Sequence, residues 1–127
     1  MIIVAGSNDI SRGVVNEYKV VDNILNIASN AKAVGVQTIF VSSVLVRWGH
    51  QHRNLILRVN NLLESMCKLH GYTFIDNSDV TTRHICNDGL HPNKPGYAIL
   101  KMNLLRCFYT FNPYISDFYN DYEDALF

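Results

Sequence analysis

Three short apolar runs, each unbroken rather than alternating and each leading toward a helical stretch, constrain this chain more than any other feature. Ile2-Ile3-Val4-Ala5 ends at Gly6, Thr38-Ile39-Phe40-Val41 ends at Ser42-Ser43, and Tyr72-Thr73-Phe74-Ile75 ends at Asp76-Asn77. A strand with one face in water alternates apolar and polar residues, whereas a continuous run belongs to a strand covered on both faces, as in parallel sheets. Between the runs, Val21, Ile24, Leu25, Ala28 and Ala31 recur at helical spacing and stop at Gly35. Leu55, Val59, Leu62, Met66 and Leu69 mark a second helix face that stops at Gly71. The polar, basic stretch from Arg47 to Arg53 is expected to be a loop; its Arg47, His50, His52 and Arg53 could meet an anionic substrate group, but a solvated loop is the expectation. Past the third run a long loop leads to Pro95, which fits the first turn of a last helix capped by Asn93 or Lys94. Ala98, Met102, Leu105 and Tyr109 are the expected buried stripe of that helix. Strands joined by helices pair in parallel through crossovers, which predicts a three-layer α/β domain.

Three strands are few for such a sheet, since open parallel sheets commonly hold about five or more. The first run also starts at residue 2 with no strand before it to lie alongside. The sequence therefore reads as a truncated domain over residues 1–112, followed by an acidic and aromatic tail over 113–127. An uncovered apolar strand invites pairing with another chain, so self-association through residues 2–5 is expected.

With 48% hydrophobic residues the chain can bury a core. Its 11 basic and 11 acidic residues cancel, which gives no electrostatic reason to expect nucleic acid or an anionic membrane as partner. Met1 leads straight into the first apolar run with no basic segment and no cleavage site, and no run reaches membrane-spanning length; a cytoplasmic location is the expectation. Cys67, Cys86 and Cys107 are odd in number and far apart. Cys67 and Cys107 fall within helical apolar patterns and read as small buried hydrophobes in a reducing compartment.

Ligands of open parallel sheets bind beyond the carboxyl ends of the strands. Gly6-Ser7-Asn8-Asp9, Ser42-Ser43, Asp76-Asn77 and the loop holding His84, Cys86, Asp88 and His91 can all converge on that rim. Asp88-Gly89-Leu90-His91 is the sharpest element. A carboxylate accepting from one imidazole nitrogen fixes the tautomer and leaves the other nitrogen free as a base; the plainer reading is a loop Asp capping a turn beside a half-exposed His. Gly6 lets the chain turn sharply at a strand end, the Asn8 carboxamide can donate to a developing oxyanion, and Asp9 can order the turn by accepting backbone N–H bonds. An ordinary Gly/Asn/Asp turn is the alternative. Ser42 and Ser43 are expected to satisfy local backbone groups. The spacing of His84, Cys86, Asp88 and His91 matches no zinc pattern, so no metal is expected. Gly6 to Gly13 carries neither a dinucleotide nor a P-loop fingerprint, and no cofactor is expected.

In this order, and each at an element boundary, the two motifs resemble blocks of the SGNH/GDSL hydrolases. Gly6-Ser7-Asn8-Asp9 is similar to their G-x-N-D block and Asp88-Gly89-Leu90-His91 to their D-x-x-H block. The stretch from Asp88 to Tyr97 and Val41-Ser42-Ser43-Val44 add to the likeness, which covers Ile2 to about Phe108. The resemblance implies a flavodoxin-like parallel sheet between helices and metal-free hydrolysis of esters by acyl transfer. It implies Asn8 as an oxyanion donor, His91 as general base, Asp88 as its orienting partner, and Gly6 and Asp9 as the supporting turn. It also implies a Gly-Asp-Ser nucleophile block ahead of G-x-N-D, for which this sequence has no room. The expectation is thus part of a hydrolase, inert alone, which acts on a small-molecule ester only when an N-terminal segment completes it. The rival expectation is a non-catalytic α/β remnant that associates through its first strand. Domains of this kind occur in the open reading frames of retrotransposon-like elements, an origin the neutral, unsecreted character would suit.

Overall fold

A computed structural model describes residues 1–13 and 16–111; the segment read as a tail, 113–127, lies outside the described residues. Strand β1 (Ile2–Ile3) is followed by a short helix α1 (Ser7–Ser11) and by α2 (Glu17–Ala33). Then come β2 (Phe40–Ser42), α3 (His50–His70), β3 (Thr73–Ile75), one 3-10 turn (Thr82–His84) and α4 (Lys94–Phe111). The three strands form one parallel sheet in the order β1-β2-β3, with Ile2 beside Phe40 and Phe40 beside Thr73. Each apolar run predicted a strand, and each strand is shorter than its run.

The middle run has the predicted cause, burial on both faces, with Ile39, Phe40 and Val41 all buried; in the first run Ile3 is buried while Ile2 and Val4 are exposed. Ile3, Val41 and Phe74 share one register row and pack into the main core with α2 and α3. Side chains alternate across a strand, so Ile2, Phe40 and Ile75 point the other way, toward α4. There Phe40 meets Phe108 edge to face at a centroid distance of 5.1 Å. The layers are therefore α2 with α3, the sheet, and α4.

Helix α2 begins at Asn16, whose side chain accepts from the Tyr18 N–H. It ends with Val36 N–H donating to the Ala31 carbonyl and Gly35 N–H to the Lys32 carbonyl, the paired bonds of a glycine-stopped helix. Cys67 is fully buried in the core, and burial pushes its thiol up to about 11; Cys107, half-buried, is pushed up for the same reason. No described helix is long and apolar enough to cross a membrane.

Three expectations need correction. The stretch from Arg47 is not loop as far as Arg53, because α3 already begins at His50. Its buried face runs through Ile56, Val59, Leu63 and Cys67, which leaves Leu69 74% exposed. The stripe proposed for α4 is rotated: Ala98, Met102 and Tyr109 are exposed and only Leu105 is buried. The inward face instead carries Gly96 and Asn103, because Asn103 donates to both Asn77 and Asp79 beneath the helix. A polar residue in the middle of the buried face disguised it.

Candidate active site

The rim starts with Gly6. Its φ is 104°, and a Cβ placed there would lie 2.7 Å from Val44 Cγ2. Only glycine combines that left-handed backbone with so close an approach. The chain turns off β1 here directly into α1, an element the sequence reading did not anticipate. Val44 is itself fixed, since the Asn60 side chain of α3 accepts from its N–H at 2.7 Å and donates to its carbonyl at 2.8 Å. Asn8, exposed in the first turn of α1, lines an open cleft of about 590 Å³ together with Gly6, Ser7 and Ser43. Asp9 does not order the turn through backbone N–H groups as expected. It accepts from the Asn23 side chain at 3.3 Å, tying α1 to α2.

A hairpin holds the second motif. Asn93 N–H donates to the His84 carbonyl, Cys86 N–H to the His91 carbonyl and Gly89 N–H to the Cys86 carbonyl, so residues 87–90 form its tip. One Asp88 oxygen accepts from the backbone N–H groups of Leu90 and His91, at 2.8 and 2.9 Å. The other faces His91 Nδ1 at 2.5 Å. Both carboxylate oxygens are thereby used, and Nδ1–H donation leaves Nε2 as the basic nitrogen. The His91 hydrogen bond, first among its causes, and the two backbone N–H groups hold the Asp88 carboxyl down at about 2.

That depression has a pH consequence. A carboxyl lowered in the folded loop supports the loop above its ordinary value of 3.8 and loses that support as pH falls toward about 2. Carbon-detected titration of Asp88 is expected to show a midpoint near 2, and in His91→Ala the midpoint should climb back toward 3.8. A wild-type midpoint already at the ordinary value would mean that the pair is not formed.

Asn93, not Lys94, caps α4, accepting from Gly96 N–H at 3.0 Å and donating to the Arg83 carbonyl. Gly96 falls within the stretch that resembles the SGNH/GDSL hydrolases, but the sequence gives it no role of its own. A Cβ there would lie 2.5 Å from the His84 carbonyl oxygen and 3.2 Å from Pro92 Cβ, so its missing side chain lets α4 press onto the hairpin base.

The two motifs are linked through Arg47, which the sequence offers only as part of a basic loop, and Trp48, which it does not single out. Arg47 donates to Ser11 Oγ at 2.9 Å and to the Ser7 carbonyl at 3.4 Å, at the two ends of α1. Trp48 N–H donates to the Gly89 carbonyl at 2.9 Å, and its indole N–H to the Thr82 carbonyl at 3.2 Å. Ser11 and Asp88 line one cleft of about 420 Å³. Through these bonds the Asp88 loop is tied to α1, the helix that carries Asn8, and Asp88 and His91 are in direct contact. In the sequence, a single Trp beside an Arg in a polar stretch gave no sign of this role.

The remaining rim residues are spoken for. Ser42 Oγ donates to the Ser43 carbonyl and accepts from the Asn77 side chain, and Ser43 Oγ accepts from Asn77 N–H; both serines are buried, as local backbone partners should be. His84 Nδ1 accepts from Thr81 N–H and Cys86 Sγ donates to the Pro92 carbonyl. The four ligand-type residues of the loop therefore have separate local partners, and among the described residues no three such side chains converge.

No protein-family model and no curated protein matches the sequence. Solved structures do. A GDSL-like lipase from Bacteroides thetaiotaomicron superposes with a TM-score of 0.69 at 24% identity, covering 84% of this chain and 60% of its own. A proposed acylhydrolase from Bacteroides fragilis gives 0.72 at 19% identity, with 87% and 61% covered. The esterase domain of the ORF1 protein of the zebrafish ZfL2-1 retrotransposon gives 0.68 at 24% identity, with 84% and 66% covered. The chain has the SGNH/GDSL hydrolase fold, and it spans less than two thirds of the length of each of these structures.

Proposed function

We propose that this chain supplies the general base, its orienting carboxylate and one oxyanion donor of a site that hydrolyses small carboxylic esters by acyl transfer. One observation carries the reading: the Asp88 carboxylate, itself pinned by two backbone N–H groups, lies 2.5 Å from His91 Nδ1. His91 Nε2 then takes the proton of a serine hydroxyl as its oxygen bonds to the ester carbonyl carbon. The imidazolium returns that proton to the departing alcohol, and water attacks the acyl-enzyme by the same route. The Asn8 carboxamide, at the mouth of a cleft large enough for a small ester, donates to the oxyanion. The hydroxyls of Ser42 and Ser43 are buried in bonds of their own and Ser7 holds the variable position of the G-x-N-D block, so this reading takes the attacking serine from the Gly-Asp-Ser block that the family likeness implies. The chemistry needs no metal or cofactor. The likeness to the zebrafish ORF1 esterase domain supports an origin in the open reading frame of a mobile element.

The direct test is hydrolysis of p-nitrophenyl acetate by the chain alone. Turnover is expected to match that of His91→Ala within error. Saturable hydrolysis removed by His91→Ala would uphold the base and overturn the proposed inertness. Saturable hydrolysis indifferent to both His91→Ala and Asp88→Asn would sink the site.

A second reading, association through residues 2–5, draws on the exposure of β1. Ile2 is 38% and Val4 74% exposed. Both line an apolar cleft of about 280 Å³ with Leu45, Tyr97, Leu100 and Leu104. Among the described residues β1 pairs on one side only, with β2, so its other edge is open to a strand of another chain. Sedimentation velocity is expected to show self-association that Val4→Lys reduces. A monodisperse wild-type monomer would contradict this reading.

A further inference from the structure

Beside the Asp88 loop lies an open cleft of about 430 Å³ lined by Arg47, Trp48, Gly49, Arg53, Thr82 and Arg83. Three of these six residues are arginines in a chain whose formal charges cancel. The ion pairs among the described residues are Arg58 with Glu17 and His91 with Asp88, so neither Arg53 nor Arg83 has a carboxylate partner there. Guanidinium groups gathered without a counter-charge repel one another, and an oxyanion that accepts from several of them relieves this. A second observation points the same way. Gly49, the N-cap of the 21-residue helix α3, lines the cleft, so the positive end of that helix lies at its wall. The third is Trp48: it is 46% exposed yet anchored at both its backbone and its indole N–H, which presents a fixed flat surface to the cleft.

We propose that this cleft binds the phosphate group of an organic phosphate, with a planar or apolar part of the same molecule against Trp48. Phosphate suits the site better than carboxylate because its greater charge and additional oxygens can engage the Arg53 and Arg83 guanidinium groups together while Arg47 stays on α1. Arg47 also lines the neighbouring cleft with Asp88 and Ser11, so the two clefts adjoin at the Asp88 loop. That the phosphate belongs to the ester substrate rests on the hydrolase reading; the binding site itself does not.

Trp48 is the single tryptophan of the chain, and its fluorescence reports the site without any turnover. Titration with phenyl phosphate is expected to give a saturable change that weakens with added salt. Arg53→Gln and Arg83→Gln, each checked by circular dichroism and melting for an intact fold, should each weaken it tenfold or more. Benzoate should bind several-fold more weakly, and phenol should cause no saturable change. A stronger response to phosphatidic acid in phosphatidylcholine vesicles than to phenyl phosphate, at equal phosphate, would assign the group to a lipid headgroup, and the reverse to a soluble ester; both uphold the site. Folded glutamine variants that titrate like the wild type, or phenol or benzoate acting as strongly as phenyl phosphate, overturn it. Because no arm measures hydrolysis, failure of this site and failure of the hydrolase reading, which the p-nitrophenyl acetate assay reports, are separate outcomes.

Discussion

With a Gly-Asp-Ser strand placed ahead of Met1, the chain is expected to hydrolyse p-nitrophenyl acetate, and His91→Ala in that fusion to lower kcat/KM by about 10²- to 10⁴-fold, the range for loss of a general base. Asp88→Asn separates two jobs of one side chain. An asparagine at 88 retains an oxygen to accept from Leu90 and His91 N–H, which keeps the hairpin tip folded. Its second atom is an amide nitrogen that cannot accept from His91 Nδ1, so the imidazole loses the partner that fixes its tautomer. Activity should therefore collapse by a similar factor while the melting temperature moves by only a few degrees. Asn8→Ala should cost about 10²-fold, consistent with one oxyanion donor, through kcat rather than KM. If the fusion folds and turns over but His91→Ala leaves the rate within a factor of about three, the general-base assignment is wrong.

Legibility in the sequence followed physical locality. Short unbroken apolar runs marked β1, β2 and β3 in the residues alone, although only β2 is buried on both faces, and the glycine stops at Gly35 and Gly71 were equally plain. The Asp88–His91 pair was legible because both partners lie in one short loop. What could not be read depends on distant packing. Gly96 looks like any residue of a helix start, and only the His84 carbonyl beside it explains the missing side chain. Arg47 and Trp48 looked like solvated loop because their partners, Ser7, Ser11, Thr82 and Gly89, lie more than thirty positions away. The face of α4 was misjudged because hydrophobic periodicity gives no weight to a buried asparagine.

That asparagine belongs to the network whose loss should damage the fold most. Asn77, 5% exposed, donates to Ser42 Oγ at 2.8 Å and accepts from Asn103 at 3.0 Å, and Asn103 donates also to Asp79 at 2.8 Å. These bonds tie the end of β2 and the exit of β3 to α4, the helix that presses on the hairpin holding His91. Asn77→Ala leaves Ser42 Oγ and the Asn103 amide short of a buried partner and opens a small void between them. Each unsatisfied group costs about 1–3 kcal/mol and the void adds to this, so a loss of about 3 kcal/mol is expected. In a domain of this size that corresponds to a fall in Tm of roughly 10–15 °C. Asn103→Ala should cost less, because Asp79 is exposed and can turn to water. The double variant should be less destabilised than the sum of the two by about 1 kcal/mol, since each single change already breaks the shared bond. A network that merely decorates the interface would give strict additivity, and an Asn77→Ala melt within about 2 °C of wild type, well under 1 kcal/mol on the same scale, would remove it from the account of what holds the His91 hairpin in place.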